Sequence, residues 1–169
     1  MKTPNIEQLN KNFSFQNGSH TLRFKAGKGG LPVIEIQNEQ ASATLALQGA
    51  QVLSWVPVGE DEVIWVSEDA KFSPGKSVRG GVPVCWPWFG PNESNASFPA
   101  HGFARTVFWQ VTNTAQCSAG ETQVTFTLDT RQLDEDNQQM WPLATIAEFR
   151  QTIAKTLTLE LTTTNHSDQ

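Results

Sequence analysis

The sequence has no tyrosine, only two cysteines and few charged residues for its length. Of its 169 residues, 17% are charged and 38% are apolar, and the mean hydropathy is −0.37. This composition is too apolar and too weakly charged for a disordered chain. No apolar run approaches the ~18 residues of a membrane-spanning helix. We therefore expect one folded domain with a real core over residues 1–169.

Cysteine and histidine are also too sparse for a metal site. Cys85 and Cys117 do not form a CxxC pair, and the three histidines are scattered, so no zinc-binding spacing is present. The amino-terminal residues lack the apolar stretch of a secretory signal. These features predict a cytoplasmic protein with reduced thiols and no metal.

The balance of charge is acidic. Twelve basic residues against 17 acidic residues give a net charge of −5. A protein that binds nucleic acid through its phosphates carries charge of the opposite sign, so we expect no nucleic-acid partner. We also expect no membrane partner.

Alternation of apolar and polar residues is the dominant pattern, and it is typical of antiparallel strands with one buried face. Two short helices are also expected, one near residue 4 with Thr3 as its cap and Pro4 in its first turn, and one over 132–140. So many strands with so little helix predict an all-β fold, an antiparallel sandwich or barrel. The predicted strands are 20–25, 31–37, 41–47, 51–56, 62–66, 121–129, 145–153 and 155–163.

Residues 71–105, which we call the Gly/Pro segment, interrupt this alternation. They contain five of the nine prolines and five of the twelve glycines, which favours a shaped loop over a sheet. Four basic residues against one acidic residue give the segment a charge of +3, while the remainder of the chain carries −8. A basic patch on an acidic protein suits a small anionic ligand. A solvated basic loop is the alternative reading.

The Gly/Pro segment is also rich in aromatic residues: Trp86, Trp88, Phe89, Phe98 and Phe103. Aromatic rings pack against the apolar faces of sugars, and they also fill protein cores. Their combination with arginine, histidine and a rigid backbone favours a ligand pocket.

Two other chemistries fit the segment poorly. Residues 70–77 loosely match a phosphate-binding loop, but Gly80, Gly81 and Pro83 follow where that loop requires a helix. Cys85 and His101 could be drawn as a nucleophile and its base. Cys85 lies between two apolar residues, however, and we expect a buried thiol.

The two central blocks of this segment, residues 78–91 and 99–105, resemble the signature of glucose-6-phosphate 1-epimerases, which are the hexose-6-phosphate mutarotases of the aldose 1-epimerase superfamily. Residues 46–55, residues 64–67 and the pair at 141–142 also match. The resemblance extends over most of the chain from about residue 31.

The resemblance implies the β-sandwich of galactose mutarotases and the interconversion of α and β anomers of a hexose 6-phosphate, most simply glucose 6-phosphate. It implies no cofactor and a monomer. Arg79 and Arg105 match substrate-contacting arginines, whose guanidinium groups suit phosphate geometry. His101 matches a residue beside the sugar, and its alternative role is that of a satisfied loop histidine.

The sequence also departs from the family. Family members are longer, and their catalytic histidine and glutamate come after the strand that ends here near Thr164. His166 does not match the histidine motif, so we expect no catalytic residue within this chain and place the pair beyond Gln169. The resemblance thus implies the amino-terminal part of a mutarotase, with a sandwich incomplete at its carboxyl end. The alternative is a non-catalytic module that binds phosphosugars or other carbohydrates.

Overall fold

The computed structural model describes residues 3–117 and 119–168, and these form two antiparallel sheets. Within each sheet the strands follow one another in chain order, and every neighbouring pair is antiparallel. The prediction of an all-β antiparallel sandwich is confirmed.

The first sheet contains β1 (Phe15–Asn17), β2 (His20–Ala26), β3 (Pro32–Gln37), β4 (Ala41–Ala46) and β5 (Gln51–Pro57). The second contains β6 (Gln110–Gln116), β7 (Thr122–Asp129), β8 (Thr145–Ile153) and β9 (Thr158–Asn165).

The core lies between the inner faces of the two sheets. Strand β8 shows why, because its residues are alternately buried and half-buried along its whole length. Phe126 and Phe149 from the second sheet share one apolar cluster with Ile34 and Leu45 from the first. The buried side chain of Asn38 ties the sheets together, since its Nδ2 donates to the carbonyl oxygen of Ile153 over 2.9 Å.

Both predicted helices are present, with shifted starts. Helix α1 (Ile6–Phe13) begins after Asn5, whose side chain accepts a hydrogen bond from the backbone N–H of Gln8. The predicted cap at Thr3 is therefore wrong, because asparagine caps as well as threonine and lies next to the first turn. Helix α2 (Glu135–Met140) follows a single 3₁₀ turn at Thr130–Gln132.

The predicted strand over 62–66 is wrong, and Glu62 explains the difference. Its Oε1 accepts hydrogen bonds from the backbone N–H groups of Trp55 and Ile64, each over 2.9 Å, and its Oε2 accepts one from the hydroxyl of Ser54. The carboxylate thus takes the place of a strand partner. Partial burial raises the pKa of Glu62, but these hydrogen bonds outweigh burial and hold the pKa below its usual value.

Residues 58–109 connect the two sheets and include the Gly/Pro segment. They form no regular strand or helix. Their β-type pairing is limited to isolated bridges, such as Val52 with Val82 and Trp86 with Gly102. The prediction of a shaped loop here is confirmed. No helix among residues 3–117 and 119–168 has the length and apolar character to cross a membrane.

Candidate functional site

The tight connection between β4 and β5, residues 49–51, is the backbone support of the candidate site, and we call it the hinge. At its centre Ala50 has a φ of +45°, in the left-handed region that a side chain disfavours. Gln151 of the opposite sheet holds this conformation, because its Nε2 donates to the Ala50 carbonyl oxygen over 2.5 Å. Among the described residues, only one other non-glycine residue has a positive φ, and it is His101. Strained backbone of this kind concentrates at functional sites.

The backbone next to Arg79 contacts the hinge. The side-chain amide of Gln51 donates to the Gly80 carbonyl oxygen over 2.5 Å, and the backbone N–H of Ser67 donates to the Arg79 carbonyl oxygen over 3.0 Å. Gly80 has a φ of +101°, and a Cβ there would come within 2.6 Å of the Trp65 carbonyl oxygen. The backbone of Arg79 is therefore fixed, while its side chain is exposed and makes no hydrogen bond or ion pair with any other described residue.

The backbone of Arg105 also contacts the hinge. A Cβ on Gly49 would come within 3.0 Å of the Arg105 Cα, so glycine permits this close approach. The Nη2 of Arg105 donates to the Ala100 carbonyl oxygen over 2.8 Å, and its Nε is buried without a partner among the described residues. The two arginines thus differ, because the guanidinium of Arg105 is partly used to hold the turn that carries His101.

His101 is held by Gly90 at two points. Its backbone N–H donates to the Gly90 carbonyl oxygen over 2.8 Å, and its Nδ1 accepts from the Gly90 N–H over 3.1 Å. These contacts stabilise the φ of +69° at His101. Because Nδ1 is an acceptor, the neutral ring carries its proton on Nε2, which is then a hydrogen-bond donor.

The aromatic residues of the segment differ in burial, and Trp88 and Phe98 are half-buried. Trp86 is 9% exposed and Phe103 is 1% exposed, and their rings meet edge to face with centroids 5.8 Å apart, so these two belong to the core. Phe89 is 80% exposed, and its ring lies edge to face with the His101 ring at 4.8 Å. Of the five, Phe89 alone contacts a predicted site residue through its ring.

Cys85 is half-buried rather than buried. Val84 and Trp86 on either side of it both point into the core. Cys85 thus lies between two buried neighbours and keeps part of its own surface exposed. Cys85 and Cys117 are both free thiols.

The loop that carries Glu93 is shaped by asparagine side chains. The Oδ1 of Asn92 accepts from the backbone N–H groups of Ser94 and Asn95, and Asn95 accepts in the same way from Ser97. These hydrogen bonds form two successive Asx turns over residues 92–97. Glu93 is exposed on this loop.

A cavity of about 200 Å³ is lined by residues within 130–144. Trp141 lines this cavity, and its ring is 5.9 Å from that of Trp86. None of Arg79, His101 and Arg105 lines it, and its volume is below the ~300 Å³ at which ligand pockets begin. The three predicted residues therefore lie outside this cavity.

The residues that sequence reasoning missed are Gln48 and Gln51. Both side chains are buried, 2% and 1% exposed, and both bond to the backbone of the Gly/Pro segment. The only sequence signal was a pair of glutamines on either side of Gly49-Ala50, within the block at 46–55.

Comparison with known proteins identifies relatives of this chain. Residues 32–169 match the model of the family described as Aldose 1-epimerase. A protein of Escherichia coli strain K12 named "Putative glucose-6-phosphate 1-epimerase" is 41% identical over 133 residues, which are 78% of this chain and 43% of that protein. A Salmonella typhimurium protein of the same name is also 41% identical over 133 residues.

Solved structures agree. The crystal structure of a "putative mutarotase (YeaD)" from Salmonella typhimurium superposes with a TM-score of 0.77 at 34% identity, covering 94% of this chain and 52% of that one. The crystal structure of HI1317 superposes with a TM-score of 0.65 at 28% identity, covering 92% and 52%. This chain spans about half the length of the relatives it matches.

Proposed function

Because the chain belongs to the aldose 1-epimerase family, we propose that it forms the substrate-binding side of an enzyme that interconverts the α and β anomers of a hexose 6-phosphate. Glucose 6-phosphate is the first candidate, since the relatives from Escherichia coli and Salmonella typhimurium carry its name. The observation that carries the proposal is that the backbone next to Arg79 and the backbone of Arg105 both contact the hinge, on a segment of charge +3 within a chain of charge −5. The family match favours this function over a stand-alone carbohydrate-binding module.

Arg79 is proposed to bind the phosphate. Its guanidinium is exposed and unpaired among the described residues, and its backbone is fixed by the hydrogen bonds to Gly80 and from Ser67. A guanidinium presents parallel N–H donors that match two phosphate oxygens, so a fixed arginine can distinguish a phosphosugar from a free sugar.

His101 and Arg105 are proposed to bind the sugar. The Nε2–H of His101 is a donor suited to a hydroxyl or to the ring oxygen region, and Phe89 lies beside it. Arg105 holds the His101 turn through Ala100 and keeps further N–H groups for a second charge-assisted contact.

The proposed reaction needs two proton transfers. A base removes the proton of the anomeric hydroxyl and an acid protonates the ring oxygen; the ring opens, the C1 aldehyde rotates, and closure yields either anomer.

Within the Gly/Pro segment the titratable candidates are Glu93, which is exposed on its loop, and His101, whose Nδ1 is already bonded to Gly90. We therefore propose that this chain supplies binding and that the acid–base pair is not among its residues. In this proposal the chain contributes a β-sandwich domain to a cytoplasmic, monomeric enzyme that needs no cofactor.

The test follows freshly dissolved α-glucose 6-phosphate by NMR, with and without the purified chain. We expect the sugar signals to broaden on binding, while the α anomer converts at the rate seen in buffer. A rate increase that His101→Ala abolishes would show that His101 transfers a proton itself. Unbroadened signals at millimolar sugar would contradict the binding role.

A further inference from the structure

Two buried glutamines attach the Gly/Pro segment to the five-stranded sheet, and they do so at different places. The Nε2 of Gln48 donates to the Lys76 carbonyl oxygen over 2.7 Å, and its Oε1 accepts from the Gly75 N–H over 2.9 Å. The Nε2 of Gln51 donates to Gly80 over 2.5 Å and lies 3.4 Å from the Val78 carbonyl oxygen. Gln48 thus holds a turn, and Gln51 holds the residues on both sides of Arg79.

We propose that Gln51 is a positioning residue for Arg79, setting the direction in which the guanidinium meets a phosphate. This inference rests on the proposed function of Arg79. The role of Gln51 is indirect, since its amide contacts the backbone beside Arg79 and no part of a ligand.

The geometry around Gln51 leaves its amide little freedom. It is 1% exposed, and a Cβ on Gly81 would come within 2.8 Å of its Nε2. The start of β5, where Gln51 lies, is itself fixed by the bond from Gln151 to Ala50. The Gln51 amide is therefore held in place by buried contacts with both sheets. Its hydrogen bonds in turn restrain the backbone of residues 78–80.

The backbone of Arg79 has few other restraints, and the one from β5, the bond from the Val82 N–H to the Val52 carbonyl oxygen over 2.9 Å, acts three residues further along. Ser67 N–H bonds to the Arg79 carbonyl oxygen, and Gly81 N–H bonds to the Trp65 carbonyl oxygen over 2.8 Å. Both partners belong to residues 65–67, which form no regular strand. Without the Gln51 amide, the Val78 and Gly80 carbonyl groups would lose their donor, and residues 78–81 would be held only by this irregular stretch and by the bond between Val82 and Val52.

The test replaces each glutamine with methionine, which has similar size and no donor. For both variants we expect a similar drop in the midpoint of thermal unfolding, because each leaves partly buried backbone groups unpaired. Gln51→Met should also reduce the preference for glucose 6-phosphate over glucose, measured as a ratio of dissociation constants, by about three- to tenfold. Gln48→Met should leave that ratio unchanged.

A double variant separates positioning from general weakening. In the Arg79→Ala background, Gln51→Met should cause no further loss of preference, because the group through which it acts is gone. An equal loss in both backgrounds would contradict the inference, and so would equal losses from Gln48→Met and Gln51→Met. Gln51→Asn, which keeps a shorter amide, should give an intermediate loss and serves if the methionine variant does not fold.

Separate results would contradict the phosphate-binding role of Arg79 and the positioning role of Gln51. If Arg79→Ala leaves the preference for phosphate unchanged, the proposed function of Arg79 is wrong. If Arg79→Ala removes the preference and Gln51→Met does not reduce it, only the role of Gln51 is wrong.

Discussion

Replacing Arg79 with alanine is expected to weaken binding of glucose 6-phosphate about ten- to a hundredfold and to leave binding of glucose nearly unchanged. The reason is that a hydrogen bond to a charged group contributes roughly 1.5–3 kcal/mol, and the Arg79 guanidinium has no competing partner among the described residues. Titration of each sugar into the purified chain, followed by NMR, gives both dissociation constants.

Two matched variants make this result specific. Lys76→Ala removes the same charge from the same segment at an exposed position, and it should lower the affinity only slightly because solvent screens a distant charge. Arg79→Lys keeps the charge but loses the paired donors, and an intermediate loss is expected. Equal losses for Lys76→Ala and Arg79→Ala would mean that overall charge, and not Arg79, selects the phosphosugar.

Arg105→Ala should weaken binding of glucose 6-phosphate as well, for a mixed reason. Its Nη2 holds the Ala100 carbonyl oxygen, one residue before His101. Loss of this bond is expected to loosen the His101 turn and so to weaken binding of free glucose too, which distinguishes Arg105 from Arg79.

Gly102→Ala is expected to be the most destabilising of these substitutions. Gly102 has a φ of +67°, and a Cβ there would overlap the carbonyl group of Trp86. Backbone cannot yield as a flexible side chain can, so the turn must move. We expect a loss of about 3–5 kcal/mol, or a fall of roughly 10 °C in the melting temperature.

Gly90→Ala is the matched control for this effect. Gly90 has a φ of +76°, but no atom lies within 4 Å of the position of a Cβ. Only the backbone strain of about 1 kcal/mol should appear. Similar falls in melting temperature for the two variants would show that the contact between Gly102 and Trp86 is not as close as described.

The strands with a clear alternation were predictable from the sequence. The prediction of a strand over 145–153 matches β8 residue for residue. Strand β6 was missed because Gln110–Gln116 is mostly polar, and its pairing with β7 determines its conformation more than its own propensity does. The strand predicted over 62–66 failed because the side chain of Glu62 satisfies the backbone groups that a partner strand would have bonded.

The candidate site was predictable as a set of residues and not as an arrangement. The motif blocks contain Arg79, His101 and Arg105, but nothing in their spacing shows that Gly90 holds His101 or that the hinge contacts both arginine-bearing stretches. Gln48 and Gln51 were missed because glutamine is ordinarily a surface residue, and only the fold shows that their amides are buried and bonded.

We propose that the hinge and the Gly/Pro segment bind a hexose through its phosphate. The most direct measurement is the backbone amide NMR spectrum of the purified chain during separate titrations with glucose 6-phosphate and glucose. If this proposal is right, glucose 6-phosphate shifts the signals of Gly80, Gly81 and Gly102 at concentrations where glucose shifts none of them. Equal shifts from both sugars, or shifts confined to the Trp141 cavity, would contradict it.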